Sequence, residues 1–330
     1  MNAPAFSAVV VAWNSAEPLR DCVESLRAAE RAADRKVEVV VVDNGSSDGS
    51  AACARELGVD IVVENPVNAG YGVAAAQGMA RASASWALLL NPDVVVDRAF
   101  VGALAAAAEG APDDVATLVP DVRFASDHSV VNTRGLEVDR AGVPSDVDAG
   151  QRESGPIRGR EVFGGSSGAC LLRLDAVRRV GGVEPVFFAY GEDVDLAWQL
   201  RRAGFRALLV PEAIAYHEGS ASMGGESPMK AFLVARSRRL LFRLDGPHTL
   251  SARLTRTLVE IGHASVMTVL GAGAAPFLGR FDALRARSYV KFVRRARAMV
   301  GARHEPELAG LRPLGEALRR KLAAVRETRR

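Results

Sequence analysis

The 330 residues suffice for one large domain or two smaller ones with a full core, and 48% hydrophobic with 25% charged residues is the make-up of a folded soluble chain, excluding a disordered or collagen-like one. Three cysteines (Cys22, Cys53 and Cys170) without paired spacing exclude a disulfide framework and a cysteine zinc site, and they fit a reducing compartment. The net charge of +3 hides an asymmetry: residues 1–229 hold 20 Lys/Arg against 32 Asp/Glu, a balance of −12, while residues 230–330 hold 22 against 7, a balance of +15.

The N-terminus has no basic stretch leading into an apolar run and a small-residue cleavage site, so no signal peptide is expected and a cytoplasmic location is. Apolar runs follow at 8–12, 37–42, 61–63, 86–90 and 115–119, with helical patterns between them at 18–33, 50–57, 73–82 and 99–108. Continuous apolar strands alternating with helices predict an α/β fold whose mainly parallel sheet is covered on both faces. Pro18 near one helix start and Gly58 after another helix end agree with that parsing. Residues 121–160 turn polar and rich in Gly and Asp, with β-like pieces such as 130–133, and predict an irregular excursion with a hairpin that borders a substrate. A strand is expected over 163–173 through a Gly/Ser turn, a short helix over 174–180, a helix over 194–203 closed by Gly204, and a strand over 206–210.

From Met229 onward the pattern is helical and basic, which divides the chain into an α/β unit at 1–229 and a helical region at 230–330. Residues 261–279 carry no charge but include His263, Pro276 and several glycines, so they predict a buried or interfacial helix pair and not a membrane span. The basic region suits an anionic partner such as a membrane surface or a polyprenyl phosphate; a solvated face or a homodimer interface is the alternative. No nucleic-acid partner is expected, because no recognised motif or interleaved aromatic platform accompanies the basic residues.

Acidic residues gather at strand ends, where open α/β sheets place ligand chemistry. Asp43-Asn44-Gly45-Ser46-Ser47-Asp48 ends the second run, and Asp43 could accept hydrogen bonds from a nucleobase or ribose. A turn capped by Asp48 or Ser50 would use the same letters. Asn68-Ala69-Gly70-Tyr71-Gly72 precedes a helix and suits either close approach to a pyrophosphate or packing alone. A dinucleotide fingerprint should follow the first strand, where Trp13-Asn14-Ser15-Ala16-Glu17-Pro18 stands instead, and this argues against a nicotinamide dehydrogenase. In Asn91-Pro92-Asp93, the proline stiffens a turn that presents Asp93 as a ligand for Mg²⁺ or Mn²⁺. Glu192, Asp193 and Asp195 crowd one helix start, which raises their proton affinity and suits a general base; first-turn acid enrichment is the plain alternative. His217, late in the chain, has an imidazole able to ligate Mn²⁺.

In order, Val-Val-Asp-Asn-Gly-Ser-Ser-Asp-Gly at 41–49, Asn-Ala-Gly-Tyr-Gly at 68–72, Leu-Leu-Asn-Pro-Asp at 89–93, Phe-Gly-Gly-Ser-Ser-Gly-Ala at 163–169, Tyr-Gly-Glu-Asp-Val-Asp-Leu at 190–196 and His217 with Ser220 and Ser222 form one set. That set resembles the inverting family 2 glycosyltransferases, over roughly residues 5–245. The resemblance implies a glycosyltransferase A-type, Rossmann-like fold with a mostly parallel central sheet, here followed by a C-terminal helical region. The Asn-Pro-Asp form and the segment at 187–196 look most like bacterial rhamnosyltransferases, which act on lipid-linked precursors of cell-wall or surface polysaccharide.

The resemblance implies a nucleotide-diphosphate sugar donor, dTDP-L-rhamnose being favoured over a UDP- or GDP-sugar. It implies a glycan or polyprenyl-diphosphate-linked acceptor and a peripheral position at the inner face of the plasma membrane. Carried over residue by residue, Asn14, Asp43, Asn68, Gly70, Tyr71, Gly72 and Asn91 would bind the donor. Asp93 and His217 would hold a divalent Mg²⁺ or Mn²⁺. Asp193 would be the catalytic base, with Glu192 as a second catalytic carboxylate. Two positions depart from the family: Asn91 replaces the first carboxylate of its Asp-x-Asp, and Gln77 stands where relatives often have Asn. A sugar-phosphate nucleotidyltransferase would need a Gly-rich loop with Arg or Lys after the first strand, and residues 12–18 offer none. A non-catalytic nucleotide-sugar-binding scaffold on a decayed transferase fold is opposed by the intact Asp93, Asp193 and His217.

Overall fold

The computed structural model describes residues 3–153, 155, 157–218, 227–245, 249–268 and 272–299. The N-terminal part alternates β1 (Phe6–Ala12), α1 (Ala16–Ala33), β2 (Val37–Asp43), α2 (Ser50–Glu56), β3 (Ile61–Glu64), α3 (Tyr71–Arg81) and β4 (Trp86–Leu90). A short β5 (Val94–Val96) and α4 (Phe100–Glu109) lead into the long β6 (Val115–Phe124). The excursion holds β7 (Asp127–Thr133), β8 (Leu136–Val138), β9 (Pro144–Asp146) and β10 (Glu161–Val162). Then come β11 (Ala169–Arg173), α5 (Leu174–Arg179), a 3₁₀ turn at Pro185–Phe187, α6 (Glu192–Arg202) and β12 (Arg206–His217). Four helices follow: α7 (Pro228–Leu244), α8 (Leu250–Met267), α9 (Ala275–Arg285) and α10 (Arg287–Met299).

Strand side chains alternate between two cores, as a period of two requires. Ala8, Val10, Ala12, Val39, Val41, Leu88 and Leu90 pack under α1, α2 and α4. Val9, Val11, Val40, Val42, Ala87 and Leu89 pack under α3, α5 and α6. Both faces are therefore dry, which is why these strands read as unbroken apolar runs. In α3, a Cβ on Gly78 would collide with Val9, so glycine lets the helix lie directly on the sheet.

The main sheet runs β10-β12-β6-β11-β4-β1-β2-β3. β3, β2, β1 and β4 are parallel, as are β6 and β12, whereas β11 lies antiparallel between β4 and β6. Six strands thus point one way, and their carboxyl ends form one edge. The polar excursion is tied to the sheet by the fully buried Asp121, which accepts from Arg134 at 2.7 Å and Arg123 at 2.9 Å.

Several boundaries differ from the sequence expectations. α3 starts two residues before the expected 73, so Tyr71 and Gly72 sit in its first turn. The strand expected at 163–173 is confined to Ala169–Arg173, and the Gly/Ser segment before it is a turn. β12 does not stop at Val210: a register shift between Val210 and Ile214 absorbs Pro211, and pairing with β6 resumes as far as His217.

α7, α9 and α10 share a core with α6 and the turn before it, through Phe187, Val194, Trp198, Leu240, Leu241, Leu244, Ala283 and Val290. Asp245 accepts from Gln199 at 2.8 Å and Arg202 at 2.6 Å, fastening the end of α7 to α6. The expected helix pair across 261–279 falls on α8 and α9. Among the described residues, no helix is long and apolar enough to cross a membrane. Ser220, Ser222 and residues 300–330 lie outside the described residues.

Candidate active site

The carboxyl ends of β2, β1 and β4 stand side by side, and this sets the order of the candidate residues along the edge. At the β2 end, Asp43 is buried; its Oδ2 accepts from Ser46 N at 3.4 Å, while its buried Oδ1 has no partner. A buried acceptor without a donor costs about 1–3 kcal/mol, and this oxygen could accept an N–H or O–H. Around it the loops are stitched together. Asn14, held at φ 49°, takes Ser47 N on its Oδ1 at 2.8 Å. Asn68 Oδ1 takes Asn44 Nδ2 at 3.0 Å and Gly70 N at 2.9 Å. Asn14 and Asn68 therefore spend their side-chain oxygens inside the protein, and neither lines the cavity that holds Asp93 and Asp193. Gln77 forms a reciprocal amide pair with Asn65, at 2.8 and 3.0 Å.

Gly70 has φ 91°, and a Cβ there would lie 2.6 Å from Phe188 O. The glycine thus admits another loop of the protein, and Tyr71 N donates to that same oxygen at 2.6 Å. Phe188 itself is held at φ 67° and ψ −62°, a strained γ-turn geometry. Gly72 packs against Val183, and a Cβ there would lie 3.7 Å from Glu192 Cβ. Tyr71 reaches onward: its hydroxyl donates to Ser167 O at 2.7 Å, and burial holds its pKa well above the ordinary range.

Ser167 is the hub of the acidic end. Its N–H donates to Asp193 Oδ2 at 3.2 Å and its Oγ to Glu192 Oε1 at 3.0 Å. Asp193 Oδ1 also takes Val194 N at 2.8 Å. Burial raises the proton affinity of both carboxylates, and Asp193 raises that of Glu192 further. The backbone N–H groups of Ser167 and Val194 partly offset the effect of burial on Asp193. Glu192 Oε2 is buried without a partner.

β5 pairs antiparallel with β12, matching Val94 with His217, and this carries the imidazole to the tip of β4. His217 Nδ1 lies 3.2 Å from Asn132 Oδ1, which accepts its proton and leaves the lone pair on Nε2. That Nε2 is buried, 3.2 Å from Asp93 Oδ1 and not aligned to hydrogen-bond with it. At that separation the ring nitrogen and the carboxylate can share a proton or hold a cation between them. Among the described residues, no three His, Cys, Asp or Glu side chains gather into a metal cage. Two protein ligands suffice for a cation that takes its remaining oxygens from phosphates and water. Asn91 anchors the same turn, its N–H donating to Gly168 O at 2.9 Å.

Asn91, Asp93, Glu192, Asp193 and His217 all line one cavity of about 350 Å³. Other walls come from Ser166 and Ser167 of the 163–169 motif and from residues that sequence reasoning did not single out: Asn132, Asp146 and, from α7, Ser237 and Arg238. The excursion thus borders the cavity, as expected, through Asn132 and Asp146. Asp146 is half-buried, and burial pushes its pKa up to about 6. The motif at 163–169 contains Ser167 without giving it a role, and no local pattern marks Asp146 or Arg238. A carboxylate able to take a proton, a second carboxyl beside it and a cation-ready pair across the cavity can together serve transfer to a hydroxyl.

Comparisons with known proteins give the family and the fold. The model of the family described as Glycosyl transferase family 2 matches residues 7–181, more than half of the chain. The chain is 29% identical over 223 residues to the N-acetylglucosaminyl-diphospho-decaprenol L-rhamnosyltransferase of Mycobacterium tuberculosis, covering 58% of this chain and 70% of that one. It is 29% identical over 231 residues to the pre-mycofactocin glycosyltransferase of the same organism, covering 68% of this chain and 45% of that one. Among solved structures, the mannosyltransferase PcManGT from Pyrobaculum calidifontis, in complex with GDP-Man and Mn²⁺, superposes with a TM-score of 0.54 at 16% identity, covering 91% of this chain and 86% of that one. GalNAc-T7 with UDP, GalNAc and Mn²⁺ gives a TM-score of 0.55 at 14% identity, covering 84% of this chain and 54% of that one. These likenesses establish the glycosyltransferase A-like fold, and the family match over residues 7–181 establishes that the chain belongs to glycosyl transferase family 2 and is a glycosyltransferase.

Proposed function

We propose that the protein is an inverting, metal-dependent rhamnosyltransferase that moves L-rhamnose from dTDP-L-rhamnose to a hydroxyl of a polyprenyl-diphosphate-linked glycan in cell-wall or surface polysaccharide synthesis. The observation that carries this reading is the single cavity in which the Asp93–His217 pair faces the Asp193–Glu192 pair. The relative named for L-rhamnosyl transfer to a diphospho-decaprenol supports the sugar and the acceptor class.

In this reading Asp43 receives the base of the nucleotide at its unpartnered Oδ1. The diphosphate runs across β1 towards β4, about 10 Å at the spacing of two strands. Asp93 and His217 would hold Mg²⁺ or Mn²⁺, which when bound neutralises charge on the departing diphosphate. Asp193 takes the proton of the acceptor hydroxyl as its oxygen attacks the anomeric carbon and the bond to the diphosphate breaks, a single displacement that inverts that carbon. Glu192, whose burial beside Asp193 makes it hold a proton more tightly than usual, orients the acceptor through its Oε2. The basic helices bring the cavity mouth to an anionic membrane surface on the cytoplasmic side.

Calorimetric titration with dTDP-L-rhamnose, with and without Mn²⁺ and beside UDP- and GDP-sugars, tests the donor. Metal-dependent binding restricted to the dTDP sugar is expected. Preference for a UDP- or GDP-sugar would overturn the donor, and no binding by folded protein would overturn the transferase reading of the site.

A further inference from the structure

Behind the cavity wall formed by α7 lies a charge arrangement that the transfer chemistry does not use. Glu260 of α8 is 5% exposed, and four arginines converge on it from three helices. Arg280 of α9 reaches it at 2.7 Å and Arg239 of α7 at 3.8 Å. Arg256, one turn earlier on α8, and Arg238 of α7 complete the field around it. Arg256 is 6% exposed and lies over the Phe242 ring, 4.8 Å from its centroid. The Nη1 atoms of Arg256 and Arg280 are buried with no hydrogen-bond partner. Burial holds Arg238 and Arg256 below the usual arginine range, yet a guanidinium does not lose its proton in a protein.

One carboxylate cannot neutralise four guanidinium groups. Of the four, Arg256 is buried while Arg239 is 35% exposed, and a buried guanidinium short of partners is costly, so an added anion would relieve it. Arg238 makes no hydrogen bond or ion pair with the described residues, and it lines the same cavity as Asp93, Asp193 and His217. Arg238, next to Arg239 on α7, is the member of the cluster that touches this cavity.

The outer side of α8 is inverted relative to an ordinary surface helix. Leu250, Leu254, Leu258 and Ile261 are 73%, 59%, 69% and 46% exposed. At about 100° per residue they fall on the face opposite Arg256 and Glu260. Phe281 of α9 is also 67% exposed. Charge inside and hydrocarbon outside suit a ligand that arrives from a lipid phase with an anionic head.

We propose that Arg238, Arg239, Arg256 and Arg280 form an anion site for the diphosphate of a lipid-linked acceptor, entered from the catalytic cavity at Arg238. The proposal rests on the transferase reading for the word acceptor, but the anion site stands on its own geometry. Guanidinium groups suit phosphate because they offer forked, charge-assisted hydrogen bonds.

The test uses the full chain in EDTA, with farnesyl diphosphate, inorganic pyrophosphate and farnesol as probes, read by calorimetry and by thermal midpoint. Farnesyl diphosphate is expected to bind and raise the midpoint, pyrophosphate to bind more weakly, and farnesol not to bind. Arg256→Gln and Arg280→Gln should each weaken farnesyl diphosphate by about tenfold or more, whereas Asp93→Asn should leave it unchanged. Unchanged affinity in both arginine variants would overturn the proposal. So would loss of binding in Asp93→Asn alone, which would place the diphosphate with the donor. Equal affinity for pyrophosphate and farnesyl diphosphate would overturn the lipid source. If either variant fails to fold, the more exposed Arg239→Gln gives the same reading. Neither donor nor turnover enters the measurement, so its failure is distinguishable from failure of the transferase reading.

Discussion

His217 Nε2 stands 3.2 Å from Asp93 Oδ1 because β5 and β12 pair at Val94 and His217. With the Nδ1 proton given to Asn132, the two facing atoms are both acceptors. His217→Ala should abolish metal-dependent donor binding. Asn132→Ala should keep both ligands but release the ring, weakening Mn²⁺ about 10–100-fold. Titration of Mn²⁺ in the presence of donor reads both. Equal Mn²⁺ affinity in Asn132→Ala and the parent would remove Asn132 from this role.

Asp193→Asn should lower kcat by about 10²–10⁴-fold while leaving the donor dissociation constant unchanged. Calorimetry beside single-turnover kinetics separates the two quantities. Normal turnover in this variant would move the base to another carboxylate.

Stability should fall with rising pH through the acidic cavity. Burial raises the pKa of Glu192 above its ordinary 4.5 and that of Asp146 from 3.8 to about 6. In the window above each ordinary value the native state keeps a proton that the unfolded chain has lost, so each step upward in pH favours unfolding. For the half-buried Asp146 this amounts to about 1–2 kcal/mol after solvent screening, lost between 3.8 and about 6. Asp146→Asn and Glu192→Gln should each flatten the decline in thermal midpoint between about pH 4 and pH 8. A decline as steep as in the parent would contradict the assignment.

α7 holds the turn at 186–189, ahead of Glu192 and Asp193, from behind. Arg236 Nη1 donates to Val186 O at 2.7 Å and Phe187 O at 3.2 Å, and its Nε to Asp282 at 2.8 Å. Ser237 Oγ donates to Ala189 O at 3.2 Å. Arg236→Ala should cost about 2–3 kcal/mol in stability. It should also lower kcat about tenfold or more by loosening the strained Phe188 and the carboxylates beyond it. Nucleotide binding at Asp43, on the far side of the sheet edge, should survive. Denaturant unfolding and dTDP titration check the two halves.

Much of the fold is legible in the sequence where structure is local. The runs that become β1 to β4 are apolar on both faces because helices cover both, and their acidic tips mark the edge that carries the site. Pairing between distant segments left no such trace. The run at 206–210 reads as a strand ending before Pro211, yet β12 continues past it because a register shift between Val210 and Ile214 accommodates the missing donor. That extension is what delivers His217. Asp146 and Arg238 carry no local pattern; one enters the cavity from the excursion and the other from a helix beyond the α/β alternation. Gly70 shows a different mismatch: its small size serves contact with Phe188, a neighbour that no spacing rule names.

The antiparallel β11 also bears on how the chain is made. β4 pairs with β1 on one side and β11 on the other, and β6 reaches the rest of the central sheet through β11. A chain emerging from the ribosome therefore carries an open strand of Trp86, Ala87, Leu88, Leu89 and Leu90 until Ala169–Arg173 has been synthesised. Such an edge is a template for pairing with another nascent chain. Fragments that end before β11 should aggregate, whereas those that include it close the edge themselves.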